Sequence, residues 1–148
     1  MKTLTILVGP SGSGKSTAAK KNNKAVVFSA DQFFTDEKGE YHFDPALLPQ
    51  AHQQCRERIM VWCADQETEG EAIVDNTNCS PWELAFYVEL ANTLGVEVDI
   101  IVFLTPLSVC CERNIHGAPD HIIFKQHQNM LEMLRELPPW YPCPRYVH

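Results

Sequence analysis

Nine consecutive residues near the N-terminus, Gly9-Pro10-Ser11-Gly12-Ser13-Gly14-Lys15-Ser16-Thr17, have the types and spacing needed to hold a polyphosphate. In such a loop, glycines let successive backbone N–H groups turn toward one point, and a helix starting at its end adds the positive end of its dipole. Gly9, Ser11, Gly12, Ser13 and Gly14 form the expected cradle, with Thr17 in the helix that follows. Lys15 is placed to neutralise the β- and γ-phosphates, and the Ser16 hydroxyl to hold Mg2+. ATP and Mg2+ are therefore the expected ligands. Without them, Lys15 is expected to face solvent.

A phosphate loop alone does not decide whether the γ-phosphate passes to water or to an acceptor, so the other chemistry-bearing residues must. In open α/β sheets ligands bind outside the carboxyl ends of the strands. Asp31 follows the second apolar run, at Ser29-Ala30-Asp31, where one oriented carboxylate can take a proton from an acceptor hydroxyl in line with the γ-phosphate. Asp75 ends the third run, at Ile73-Val74-Asp75-Asn76-Thr77-Asn78, and suits two roles: holding Mg2+ through water or assisting the acceptor. Arg113, in Cys111-Glu112-Arg113-Asn114-Ile115-His116-Gly117, suits a lid arginine that closes over the phosphates and stabilises charge in the transition state. His116 offers a second donor. Phe33, Phe34, Tyr41 and Phe43 cluster after Asp31; aromatics there can stack on a base, although at least two are expected simply to pack, as are Trp82, Trp140 and Tyr141.

These residues need a scaffold that alternates strands and helices, and the hydrophobic pattern supplies it. Strands are expected at 2–8, 25–29, 71–75 and 96–104, and helices at 15–22, 81–94, 106–114 and 120–137. Asp44-Pro45 reads as a cap followed by proline at the first helical position. Leu48, Ala51, Cys55, Ile59 and Trp62 recur every three or four residues behind it, predicting a long helix to about residue 68. Gly117 and Pro119 make a hinge, giving a lid over about 113–122. Four prolines in 138–148 predict an extended tail without regular structure. The expectation is one α/β domain over 1–148, a parallel sheet with helices on both faces.

The 148 residues carry a net charge of −7, which argues against a general nucleic-acid coat while leaving a local basic groove open. No run is long and apolar enough to span a membrane, and the N-terminus opens into a strand, so a cytoplasmic protein is expected. The six cysteines show no metal-ligand spacing and read as buried, reduced thiols.

Taken in order, the phosphate loop, Ser29-Ala30-Asp31 with Phe33-Phe34, Tyr41-His42-Phe43-Asp44-Pro45, Asp75-Asn76-Thr77-Asn78 and Arg113-Asn114-Ile115-His116-Gly117 resemble the zeta-toxin-like and polynucleotide-kinase-like P-loop ATPases. The likeness covers nearly the whole chain to about Leu137 and is nearest to the branch of NEDD4-binding-protein-like proteins and small bacterial and phage ATPases. It implies a P-loop NTPase fold with strand order 2-3-1-4, an ATP-dependent kinase activity and a lid arginine at Arg113. The 5′-hydroxyl polynucleotide kinases carry two adjacent aspartates, then an aromatic and an arginine. Here Asp31 matches the first aspartate, Gln32 stands at the second and Thr35 at the arginine. Either Asp31 acts as the base from a shifted backbone, or the acceptor differs. The acceptors implied are a 5′-hydroxyl of a nucleotide or nucleic acid, or a hydroxymethyl group on a DNA pyrimidine. The competing expectation is a nucleotide-binding module that works through a partner protein.

Overall fold

In the computed structural model, which describes residues 1–114 and 117–148, five strands form one parallel sheet in the order β2-β3-β1-β4-β5. They are β1 (Lys2–Val8), β2 (Val26–Phe28), β3 (Gly70–Val74), β4 (Glu97–Phe103) and β5 (Arg145–Val147). The four strands read from the sequence stand in the expected order. β1 is central, with Ile6 opposite Val74 on one side and Ile100 on the other. Its run Leu4-Thr5-Ile6-Leu7-Val8 is apolar almost throughout because both faces are covered, as parallel sheets require.

Period-two alternation assigns the side chains to the two faces. Leu4, Ile6, Val8, Ala72, Val74, Ile100 and Val102 form the larger core with α2 (Leu48–Ala64), α3 (Pro81–Thr93) and α5 (Asp120–Arg135). Leu7, Ile73 and Phe103 face Ala19 of α1 (Lys15–Lys21) on the other side. The apolar stripe of α2 is as expected, with Ala51, Cys55, Ile59 and Trp62 all buried. Asp44 caps its approach: its carboxylate accepts from the Ala46 N–H at 3.0 Å, and Pro45–Leu47 forms a 3-10 turn leading into the helix. α2 stops at Ala64, short of residue 68, where the Lys2 ammonium donates to the carbonyls of Trp62, Cys63 and Asp65.

Three expectations are corrected. The tail is not wholly irregular: Arg145–Val147, the first stretch beyond the prolines with free N–H groups, pairs parallel with β4, and Leu104 N–H donates to Val147 at 2.7 Å. Arg145 is tied there by both oxygens of Asp99. Trp82 and Trp140 do not pack in the core, being 63% and 75% exposed, while Tyr141 is half-buried against it. Of the cysteines, Cys55, Cys63, Cys79 and Cys110 are buried and all six are free, but Cys143 is exposed. Among the described residues no helix is long and apolar enough to cross a membrane.

Candidate active site

The loop after β1 is built as its glycines predict. Gly12 and Gly14 hold φ of +81° and +100°, in the region that side chains resist. At Gly12 a Cβ would stand 2.1 Å from the carbonyl oxygen of Cys110 in α4 (Leu107–Glu112), so only glycine fits against that backbone. The loop is tied down from three sides. Gly9 N–H donates to Thr77 at 2.9 Å, the Thr105 hydroxyl donates to the Ser13 carbonyl at 2.7 Å, and Ser11 N–H donates to the Gln126 side chain of α5 at 3.0 Å. Thr17 stands exposed in the first turn of α1.

Lys15 does not face solvent; it is only 7% exposed. Its ammonium curls back to donate to the Pro10 carbonyl at 2.9 Å and the Ser13 hydroxyl at 3.4 Å. Burial lowers its pKa below the usual lysine value, opposed by the nearby charge of Asp75 and, less strongly, Asp31. The loop thus encloses its cation with backbone and hydroxyl oxygens that accept from it, a place that phosphate oxygens can take over.

β3 brings Asp75 to the loop, where its Oδ2 accepts the Ser16 hydroxyl at 2.9 Å. The Asp75 N–H is itself anchored to Phe28 at the end of β2, at 2.8 Å. Hydroxyl and carboxylate oxygens side by side are hard donors of the kind that Mg2+ takes, directly or through water. Both residues predicted as metal-binding, Ser16 and Asp75, are therefore brought together.

Asp31 lies in a 3-10 turn, Ala30–Phe34, beyond β2. Two side chains fix that turn: Ser29 Oγ accepts from Asp31 N–H at 3.0 Å, and Asn76 Oδ1 accepts from Ala30 N–H at 2.8 Å. The Asp31 carboxylate accepts the Tyr41 hydroxyl at 3.0 Å. Gln32, at the position of the absent second aspartate, points back instead. Its oxygen accepts from Ser29 N–H and from Arg58, at 3.2 and 2.6 Å, and its amide donates to Val27 at 2.8 Å. Gln32 is a clamp between the turn, β2 and α2. Of the aromatics, Phe34 is buried, so it is not a stacking surface, and Tyr41 lies parallel to Phe43 with centroids 6.2 Å apart.

Arg113 closes α4, and its Nη1 comes within 4.0 Å of where a Cβ on Gly14 would stand, beside the loop. The remainder of the lid is described only in part, because Ile115 and His116, the second donor expected there, lie outside the described residues.

The strand-end pattern did not reveal Asn78, Thr105 or Gln126. Asn78 is 1% exposed, takes φ +50°, and donates its amide to the Leu7 carbonyl at 2.7 Å, locking β1 to the end of β3. The run Asn76-Thr77-Asn78 held a signal for it, since asparagine tolerates the left-handed region. Thr105 and Gln126 reach the loop from 92 and 115 positions away, a separation at which the sequence carries no local signal.

Comparison with known proteins gives the same frame. Residues 4–137 match the AAA domain family. The chain is 34% identical over 123 residues to human NEDD4-binding protein 2, covering 77% of this chain and 7% of that protein. Among solved structures, a chain of the Pnkp1/Rnl/Hen1 RNA repair complex superposes with a TM-score of 0.75 at 22% identity, over 97% of this chain and 48% of that one. A chain of the AvrRxo1-ORF1:AvrRxo1-ORF2 complex with ATP gives 0.69 at 16%, over 91% and 49%, and a gluconokinase from Sinorhizobium meliloti 1021 gives 0.58 at 16%, over 98% and 81%. The chain thus spans a small part of its human relative and about half of the first two structural neighbours. With its sheet order, its phosphate loop and nearly its whole length accounted for, the chain belongs to the AAA domain family and has the P-loop kinase-like fold.

Proposed function

We propose that the protein is an ATP-dependent phosphotransferase that moves the γ-phosphate to an alcohol of a nucleotide or nucleic acid, with the chain 1–148 acting as one catalytic domain. The observation that carries this is the meeting of Ser16 and Asp75 at 2.9 Å at the mouth of the phosphate loop, with Asp31 on the neighbouring strand end and its charge acting on Lys15. A loop that only bound nucleotide has no use for a second oriented carboxylate. The ATP-bound and kinase neighbours are consistent with the same donor.

In this scheme the amides of Gly12, Gly14 and Lys15 and the Lys15 ammonium hold the β- and γ-phosphates. Lys15 exchanges its bonds to Pro10 and Ser13 for phosphate oxygens, so the charge is already in place and dry when it is needed. Ser16 and Asp75 fit Mg2+, which when bound neutralises charge on the phosphate oxygens. Asp31, oriented by Tyr41, accepts the acceptor's proton as the new O–P bond forms; the bond from phosphorus to the β–γ bridging oxygen breaks, and that oxygen leaves on ADP. Arg113, beside the loop at Gly14, is in this scheme the residue that stabilises charge on the phosphoryl group in transit. Gln32 has no part in proton transfer, because its side chain is spent on Ser29, Val27 and Arg58.

The test is a screen with ATP labelled at the γ-phosphate against 5′-hydroxyl nucleosides and oligonucleotides, hydroxymethylpyrimidine DNA and small sugar alcohols. Label is expected on a nucleotide or nucleic-acid hydroxyl. Label recovered solely as inorganic phosphate, or no turnover, would overturn the proposal in favour of a nucleotide-binding module acting through a protein partner.

A further inference from the structure

Two of the three tryptophans stand in solvent beside one groove. The groove, of about 340 Å³, lies between the first half of α3 and the end of α5 with the chain that leaves it. Leu84, Met133, Leu137 and Tyr141 give it an apolar lining, and Trp82 is one wall. Trp140 stands next to it, edge-on to Tyr141 with ring centroids 6.5 Å apart. Trp62, by contrast, is buried in the main core. An indole left in water forgoes the burial that its apolar area favours, and tryptophan is among the side chains on which binding energy concentrates when a partner covers it.

The charges around the groove have one sign. Glu136 lines it, and no lysine, arginine or histidine does. Glu132 stands exposed about one helical turn before Glu136. On α3, Glu89 continues the stripe of Pro81 and Ala85, both of which line the groove. Burial and then the charge of Glu89 push the pKa of the Tyr141 hydroxyl up, so that carboxylate lies close to the lining. Arg135, two residues beyond Met133, projects from the opposite side of α5. The bias is regional: between Arg58 and Arg113 the chain has no lysine, arginine or histidine, while aspartates and glutamates continue throughout. An apolar floor with an acidic rim complements a ligand that is apolar on one face and basic on the other. It repels nucleic acid, anionic lipid and a second copy of this chain, which would bring the same glutamates together.

The backbone decides the form of that ligand. An extended segment gains affinity by hydrogen bonding to main-chain groups. Here Pro81 and Pro138 carry no N–H, and the N–H groups of Glu136 and Tyr141 are taken by the carbonyls of Met133 and Pro138. A helix satisfies its own backbone and offers apolar side chains at three- and four-residue spacing to a groove of this kind. We propose that the groove docks a basic amphipathic helix of a partner protein, with Trp82 and Trp140 closing on its apolar face and Glu89, Glu132 and Glu136 pairing with its lysines and arginines. The surface shares no residue with the phosphate loop or with Asp31 and Asp75, so it stands whether or not the phosphotransferase reading holds.

The probe is a helical peptide of about 18 residues with leucines on one face and lysines on the other, compared with the same peptide carrying glutamate in place of lysine. Wild-type protein is expected to bind the lysine peptide saturably in calorimetry and the glutamate peptide at least about tenfold more weakly. Tryptophan emission should shift to the blue on binding, because Trp82 and Trp140 leave water while Trp62 is buried already. Trp82→Ala and Trp140→Ala, both at exposed positions, should each weaken binding by about fivefold or more. Glu136→Lys should weaken it by about threefold or more. Glu97→Lys makes the same charge change on the opposite face of the sheet, since Glu97 shares the side of Ile101 and Phe103, and should have much less effect. Equal losses in Glu136→Lys and Glu97→Lys would reduce the binding to net charge and overturn the groove. So would absence of saturable binding, equal affinity for the two peptides, or full affinity in both tryptophan variants. Dimerisation in sedimentation that Trp82→Ala abolishes would give the groove to a second copy, and a blue shift with phosphatidylcholine vesicles but not with the peptide would give it to lipid; either refutes the proposal.

Discussion

Replacing Asn78 by alanine tests whether the site depends on a side chain that touches neither phosphate nor base in the proposed scheme. Its amide donates to the Leu7 carbonyl at 2.7 Å in the interior, and its backbone sits at φ +50°. Removing the donor leaves a buried carbonyl without that partner, a loss of about 1–3 kcal/mol. Alanine in the left-handed region costs about 1 kcal/mol more. The total is about 2–4 kcal/mol, and at about 2–4 °C per kcal/mol for a chain of this size the melting temperature should fall by about 4–16 °C. Asn78→Asp isolates the hydrogen bond, because aspartate also tolerates this backbone but presents oxygens to the Leu7 oxygen; it should lose at least as much as alanine. Urea denaturation at 25 °C gives the values, provided that the slopes match. An alanine variant within about 0.5 kcal/mol of wild type, or an aspartate variant as stable as wild type, refutes the lock between β1 and β3.

Gly12→Ala places a Cβ against the Cys110 carbonyl and should weaken ATP binding by about tenfold or more, besides costing about 1–2 kcal/mol for its φ of +81°. Gly39→Ala, with a similar φ but open space around it, should lose the stability and keep the binding; calorimetry and thermal melts on the pair separate the two effects. Asp31→Asn should abolish transfer while ATP binding persists, and Arg113→Ala should lower kcat by about a hundredfold or more with much less effect on ATP affinity. Full transfer by Asp31→Asn would move the base to Asp75. Burial is the main cause that pushes the Cys79 thiol up from 9.0 to about 12, partly opposed by Lys15. The unfolded thiol therefore ionises first, and stability present below pH 9 should be lost toward pH 12 by up to about 1.4 kcal/mol per pH unit. Urea midpoints at pH 8 and 10 should fall more steeply in wild type than in Cys79→Ala, and equal slopes would count against it.

The sequence by itself determined the parts whose physics is local. Gly12, Gly14 and Lys15 announce a phosphate loop because only glycine turns its amides inward there, the two-residue period places β1 to the residue, and the three-to-four-residue period gives the buried face of α2 although not its ends. Asp31 and Asp75 were legible because a parallel sheet exposes whatever follows its strands. The tertiary structure alone decided what depends on which surfaces meet. Lys15 is enclosed because Pro10 and Ser13 fold over it, and Gln32 is a clamp rather than a failed base because Arg58 and Val27 reach it. Trp82 is exposed because it stands in the first turn of α3 where no element covers it, and Arg145–Val147 becomes a strand because β4 offered an unpaired edge. Hydrophobicity gives a residue a preference for burial, but a neighbour distant in sequence decides whether the burial is available.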